Sequence, residues 1–122
     1  MKTAQDIVLF GRSVAQTSDT FCAPAERRIS GGCQQSMNNF YSDETGQFHA
    51  GLWSGGVGAW RVKYTEHEFC TLLEGRVRLT DTAGRSVELA AGDHFVIPAG
   101  FEGIWEVLEP ARKTYAVFEV DR

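Results

Sequence analysis

The 122-residue sequence predicts an all-β domain, a sandwich or barrel preceded by an extended arm. Three observations carry this. From Gln47 onward, short apolar runs of strand length follow one another at 47–53, 57–64, 67–73, 76–80, 86–89, 94–97, 103–108 and 113–120. Turn residues punctuate them at Ser54-Gly55-Gly56, Glu74-Gly75, Asp81-Thr82-Ala83-Gly84, Ala91-Gly92-Asp93 and Pro98-Ala99-Gly100. Helical periodicity is weak throughout, and the best helical stretch, Ser13 to Thr20, has no apolar stripe.

The chain divides near residue 44. Residues 1–43 read as an N-terminal arm with loops, polar between 11 and 39 and broken by Pro24, Gly31 and Gly32. A strand-length run at Ile7 to Phe10 and a strand around Met37 to Tyr41 interrupt it. Residues 44–122 read as the barrel, and the length suits one domain with one core. An arm with isolated apolar strands suits packing on a second copy, and open barrel edges invite the same pairing, so a homodimer is expected.

Twelve basic residues against sixteen acidic ones leave a net charge of -4, which argues against a nucleic-acid partner. No stretch approaches the ~20 apolar residues of a membrane span, and Ile7 to Phe10 is too short for a signal peptide. The three cysteines, Cys22, Cys33 and Cys70, form no C-x-x-C pair. Their odd number argues against a disulfide framework and a thiolate zinc site, so free thiols and a cytoplasmic location are expected.

Two segments add a more specific signal. In Glu68-Phe69-Cys70-Thr71-Leu72-Leu73-Glu74-Gly75-Arg76-Val77, Glu68 and Gly75 stand in an E-x6-G spacing; in Gly92-Asp93-His94-Phe95-Val96-Ile97-Pro98-Ala99-Gly100, the spacing is G-x5-P-x-G. Together they resemble the two motifs of the cupin superfamily, over roughly Phe48 to Val120. Tyr64, Glu68-Phe69-Cys70, Leu73-Glu74-Gly75 and Gly103 to Pro110 with Arg112-Lys113 resemble a subgroup holding the ethanolamine-utilisation cupin, the ureidoglycine aminohydrolase-like cupins and many small bacterial proteins. The resemblance implies a cupin-type jelly-roll β-barrel, commonly dimeric, and no single reaction.

It also implies a ligand set that this chain lacks. Metal-dependent cupins offer two His and one Glu from the first motif and one His from the second, donors that suit Mn, Fe, Ni or Zn. Here the first pair falls on Val62 and Tyr64 with a three-residue gap before Glu68, or on Arg61 and Lys63 with a four-residue gap; the second-motif position is Gly103. Only Glu68 remains, so no metal cofactor is expected. His49, His67 and His94 have no i, i+2 strand spacing among them and read as surface or packing residues.

With the three-residue gap, the barrel interior presents Val62, Tyr64, Glu68, Cys70, Gly103 and Trp105, with Trp60 at the mouth, which describes a small-molecule pocket. A one-residue slip would substitute Lys63 for Tyr64. Glu68, desolvated there, is the candidate general acid or base, assisted by Tyr64; the alternative is that it only satisfies Tyr64 or a backbone amide. Cys70 reads as a small buried hydrophobe, since nothing nearby in sequence lowers its pKa. Arg112 and Lys113 alternate in face and read as surface pairing residues. The functional expectation is a metal-free barrel holding a small carboxylated or amide-bearing metabolite. Its alternatives are an enzyme using Glu68 on a small nitrogenous or sugar-like substrate, and an accessory dimeric subunit.

Overall fold

The computed structural model describes residues 1–120. Nine strands form one curled antiparallel sheet: β1 (Thr17–Cys22), β2 (Arg28–Gly31), β3 (Gln34–Ser42), β4 (Phe48–Gly55), β5 (Gly58–Lys63), β6 (His67–Asp81), β7 (Ser86–Ala90), β8 (His94–Ile97) and β9 (Glu102–Phe118). The two longest, β6 and β9, are the spine. β9 pairs with β5 over its first half, with β4 over its second, and with β6 along both. Strands β7 and β8 close on β6. The all-β jelly-roll barrel expected from the motifs is the observed architecture.

The spine differs from the sequence reading at one point. Glu74-Gly75 reads as a turn between two strands, yet β6 runs straight through it. The register with β9 shifts three times between Leu72 and Val77, so irregular pairing bends the strand where a turn would have ended it. Inward positions change parity there, from Glu68, Cys70 and Leu72 to Val77 and Leu79. Gly75 permits this with φ +87°, and a Cβ on it would run into the Pro110 carbonyl oxygen and lie 2.7 Å from Ala111 Cα.

The polar segment also holds more strand than its composition predicts. β1 and β3 form an antiparallel pair that extends the sheet beyond β4, and β2 covers the edge of β5. Their outer faces are solvated, so the apolar alternation that marks a strand is diluted. Conversely, Ile7 to Phe10 forms no strand; the arm lies against its own domain, with Phe10 stacked on Phe40 at 5.1 Å between ring centroids. No helix among the described residues is long and apolar enough to cross a membrane.

The expectation of three free thiols is corrected. Cys22 at the end of β1 and Cys33 before β3 are joined in a disulfide, leaving Cys70 as the free cysteine among the described residues. Strand pairing is the reason: Cys22 lies opposite Gln34, which brings two cysteines eleven residues apart in sequence side by side.

The core gathers Leu72, Val77, Val107 and Cys70, all fully buried, around Trp60 and Trp105. The second motif fastens this core to the site. Leu72 N donates to Asp93 O and Gly92 N to Leu72 O, while Gly100 N donates to Tyr64 O and Tyr64 N to Phe101 O. Gly75→Ala is expected to lower stability by more than about 2 kcal/mol, because it combines a left-handed backbone with overlap onto β9. A urea midpoint unchanged from wild type would show that the bend does not need glycine.

Candidate functional site

β5 fixes which residues face the interior. Val62 pairs with Gly103 and Trp60 with Trp105, and Val62 and Tyr64 point inward while Arg61 and Lys63 are exposed. The three-residue gap is therefore the observed register. A cavity of about 630 Å³ opens at this end of the barrel, with Val62, Tyr64, Glu68, Trp53, Lys113 and Tyr115 in its lining.

The expected site residues separate into three groups. Val62, Tyr64 and Glu68 line the cavity. Cys70 and Trp105 are buried in the core beneath it, and Trp60 lies in that core rather than at the mouth, because two further residues of β5 separate it from the opening. Gly103 lines a different, smaller pocket with Arg61 and Asp81. A Cβ at Gly103 would press on the backbone of Thr80 and Asp81, so the glycine serves the approach of β9 to β6.

The centre of the site is a residue that reads as surface in the sequence. Lys113 is 4% exposed, and its Nζ donates to Glu68 Oε2 at 3.0 Å. The same ammonium sits 4.4 Å from the Trp105 ring centroid and 5.1 Å from that of Trp53, and the two rings meet edge to face. Arg112, one residue earlier, does point outward and pairs with Glu74 at 3.4 Å. Lys113 shares its parity with Ala111, Tyr115 and Val117 on the inward face of β9, and that parity is the sequence signal for its placement.

Proton positions follow from these neighbours. Burial pulls the Lys113 pKa down, but the Glu68 carboxylate, with Cys70 in support, lifts it above the ordinary lysine value, so the residue is an ammonium. Burial first and Glu68 second push the Tyr64 phenol well above its usual range, so it stays protonated and able to donate. Burial, reinforced by Glu68 and only partly opposed by Lys113, raises Cys70 to about 12, so the thiol stays protonated and is no nucleophile at neutral pH. Tyr115 is likewise raised to about 12, by burial and then by Glu68.

A second chain of hydrogen bonds runs along the wall. Tyr115 OH donates to Asn39 Oδ1 at 2.8 Å, Asn39 Nδ2 donates to Ser42 Oγ at 2.8 Å, and Ser42 Oγ meets His49 Nδ1 at 2.6 Å. Gly46 O can only accept, so His49 Nε2 carries the ring proton and donates to it at 3.0 Å, and Nδ1 of the neutral ring accepts from Ser42 Oγ. Trp53 Nε1 is held by Gln35 Oε1 at 2.9 Å. Asn39, Gln35, Trp53 and Tyr115 escape sequence reasoning because they lie on β3, β4 and the end of β9, away from the motifs.

These residues do not fit a transition metal. Of the four positions where the resemblance puts donors, Val62 and Gly103 have none, Tyr64 is a protonated phenol, and Glu68 already accepts from Lys113. The histidines are engaged elsewhere: both nitrogens of His49 are used, His67 Nδ1 accepts from Ala99 N, and His94 Nδ1 meets Thr71 Oγ1. Among the described residues no group of three His, Cys, Asp or Glu could hold an ion.

The raised pKa values have a pH consequence. Cys70, Lys113, Tyr64 and Tyr115 all hold their protons more tightly folded than unfolded. Their stability contribution is complete below the unfolded thiol value of 9.0 and is lost as pH rises toward 12. The melting temperature is expected to fall steeply between pH 9 and 12, less steeply in Cys70→Ala. A thiol reagent at pH 8 should find no reactive cysteine in the native protein and one after unfolding without reductant; rapid native labelling would contradict the protected thiol.

Comparison with known proteins agrees with this architecture. The model of the EutQ-like cupin domain matches residues 42–115. Among solved structures, a protein of unknown function of the DUF861 family from Pseudomonas syringae pv. tomato superposes with a TM-score of 0.74 at 26% identity, over 83% of this chain and 44% of that one. The Clostridium difficile EutQ protein gives a TM-score of 0.63 at 18% identity, over 71% and 64%. A DUF861 family protein from Thermotoga maritima gives 0.51 at 36% identity, over 52% and 73%. This chain thus spans less than two thirds of the first two proteins' length. No curated protein matches it. With its motif spacing, barrel and matched segment together, the chain belongs to the EutQ-like cupins.

Proposed function

We propose that this barrel binds a small metabolite in the 630 Å³ cavity, without a metal, and that the ligand carries a carboxylate or amide on a partly apolar body. The observation that supports this reading most is the meeting of fixed polar groups with apolar wall in one opening. Tyr64, Glu68 and Lys113 stand at one side, the Tyr115–Asn39 hydrogen bond at another, and Trp53, Met37, Val62 and Val117 supply the apolar surface. That combination is the usual makeup of a small-molecule site. The lining includes three cations, Arg27, Lys63 and Lys113, and two carboxylates, Glu66 and Glu68, and this excess of one positive charge favours a ligand with one acidic oxygen over a cationic one.

A proton-transfer enzyme is the second reading, and the Tyr64–Glu68 contact favours it. The phenol and the carboxylate both line the cavity, and Glu68 helps hold the phenol protonated, an arrangement that can take a proton from a bound substrate and return it. We also propose a homodimer. The outer face of β4, β9, β6 and β8 exposes two cross-strand apolar pairs, Phe48 with Phe118 and Phe69 with Val96, and light scattering would read the mass of the assembly directly.

A thermal-shift screen of small carboxylic acids, amides and neutral polyols tests the binding reading. A true ligand raises the melting temperature with concentration, since it prefers the native state. The rise should be lost or weakened at least about tenfold in Tyr64→Phe, which removes the hydroxyl and leaves the Glu68–Lys113 pair in place. Stabilisation that is equal in wild type and Tyr64→Phe would place binding outside this cavity. Turnover of a hit that disappears in Glu68→Gln, with the fold kept, would decide for the enzyme.

A further inference from the structure

We propose that the Lys113 ammonium is the barrel's resident cation, occupying against Glu68 the place that a metal ion takes in a metal-binding barrel of this kind. The inference does not depend on what the cavity binds. It begins from a mismatch: Glu68 alone survives from the expected donor set, and a lone buried carboxylate would be costly to keep charged. Yet Glu68 is not alone. A cation stands 3.0 Å from Oε2, delivered by the chain itself from β9, four positions along the ladder from the residue that pairs with Glu68.

The surroundings suit an ammonium and not a metal. Trp105 and Trp53 present ring faces to Nζ at 4.4 Å and 5.1 Å, and a π face attracts a diffuse organic cation without offering a lone pair for coordination. The rings are held from outside the pair, Trp53 through Nε1 to Gln35 and Trp105 by its packing in the core. Carboxylate and two indoles thus form a cage whose occupant is covalently tethered. The substitutions at Val62, Tyr64 and Gly103 then belong together with Lys113: donors for a metal are absent where the charge that a metal would bring is already supplied.

The tether can be cut. Lys113→Ala deletes a fragment equivalent to n-propylammonium. Added n-propylammonium chloride should raise the melting temperature of Lys113→Ala saturably, with 1-propanol giving no comparable rise. The response should be absent in wild type and in Glu68→Gln/Lys113→Ala. If Lys113→Ala does not accumulate folded, the readout becomes refolding yield from urea, expected to require n-propylammonium. A response equal for propanol, or equal in the double variant, would overturn the proposal.

A second experiment restores the donors. Val62→His and Tyr64→His, both in the cavity lining beside Glu68, are combined with Lys113 kept or with Lys113→Ala, and Zn²⁺ is titrated calorimetrically. The proposal requires binding at least about 100-fold tighter when Lys113 is absent, because ion and ammonium compete for Glu68. Equal affinity in the two backgrounds would overturn it. Should the histidine variants fail to fold, the propylammonium measurement decides alone.

Discussion

A carboxylate and an ammonium, both buried and 3.0 Å apart, cannot be separated without stranding a charge in apolar surroundings. Breaking such a pair by removing one partner typically costs about 3–5 kcal/mol, although forming it gains little net stability over apolar residues of the same size. The Glu68–Lys113 pair is therefore a constraint more than a source of stability. It links β6 to β9, the two strands on which every other strand of the barrel is directly or indirectly assembled. A slip of either strand by one residue would turn one charge into the core and the other out to solvent. Trp105 and Trp53 pack around it, and the cavity lies over it.

The same pair determines what the site can do chemically. It keeps an ammonium at the cavity wall and keeps Tyr64 protonated, while burial is what protects Cys70. A thiol nucleophile is ruled out at neutral pH, and donors for a transition metal are not assembled. What is left is hydrogen bonding, a local positive charge and one carboxylate–phenol contact, set in an aromatic wall. Those are the groups on which the proposed binding reading rests, and the carboxylate and phenol are those of the proton-transfer alternative.

The sequence revealed the barrel through its glycines and its turns, because those residues encode backbone conformation directly. Gly92 and Gly100 do sit at positive φ in the turns where their spacing puts them. Gly75 also has positive φ, but it bends a continuous strand; glycine marks the conformation and not whether the chain reverses there. Lys113 was hidden for a different reason. A lysine is almost never buried without a partner, so it reads as surface until the partner is known. Glu68 is forty-five residues away in sequence, and only the β6–β9 ladder brings the two together. The disulfide was equally a product of pairing, since nothing in the spacing of Cys22 and Cys33 places them on adjacent strands.

The central claim is that the carboxylate at the heart of this barrel is matched by the chain's own ammonium. Elemental analysis of protein purified without an affinity tag or chelator addresses it most directly. The account predicts Mn, Fe, Ni and Zn all far below one atom per chain, with no change in Glu68→Gln. Near-stoichiometric metal in wild type that is lost in Glu68→Gln would contradict it, because Glu68 would then be holding an ion where Lys113 is placed.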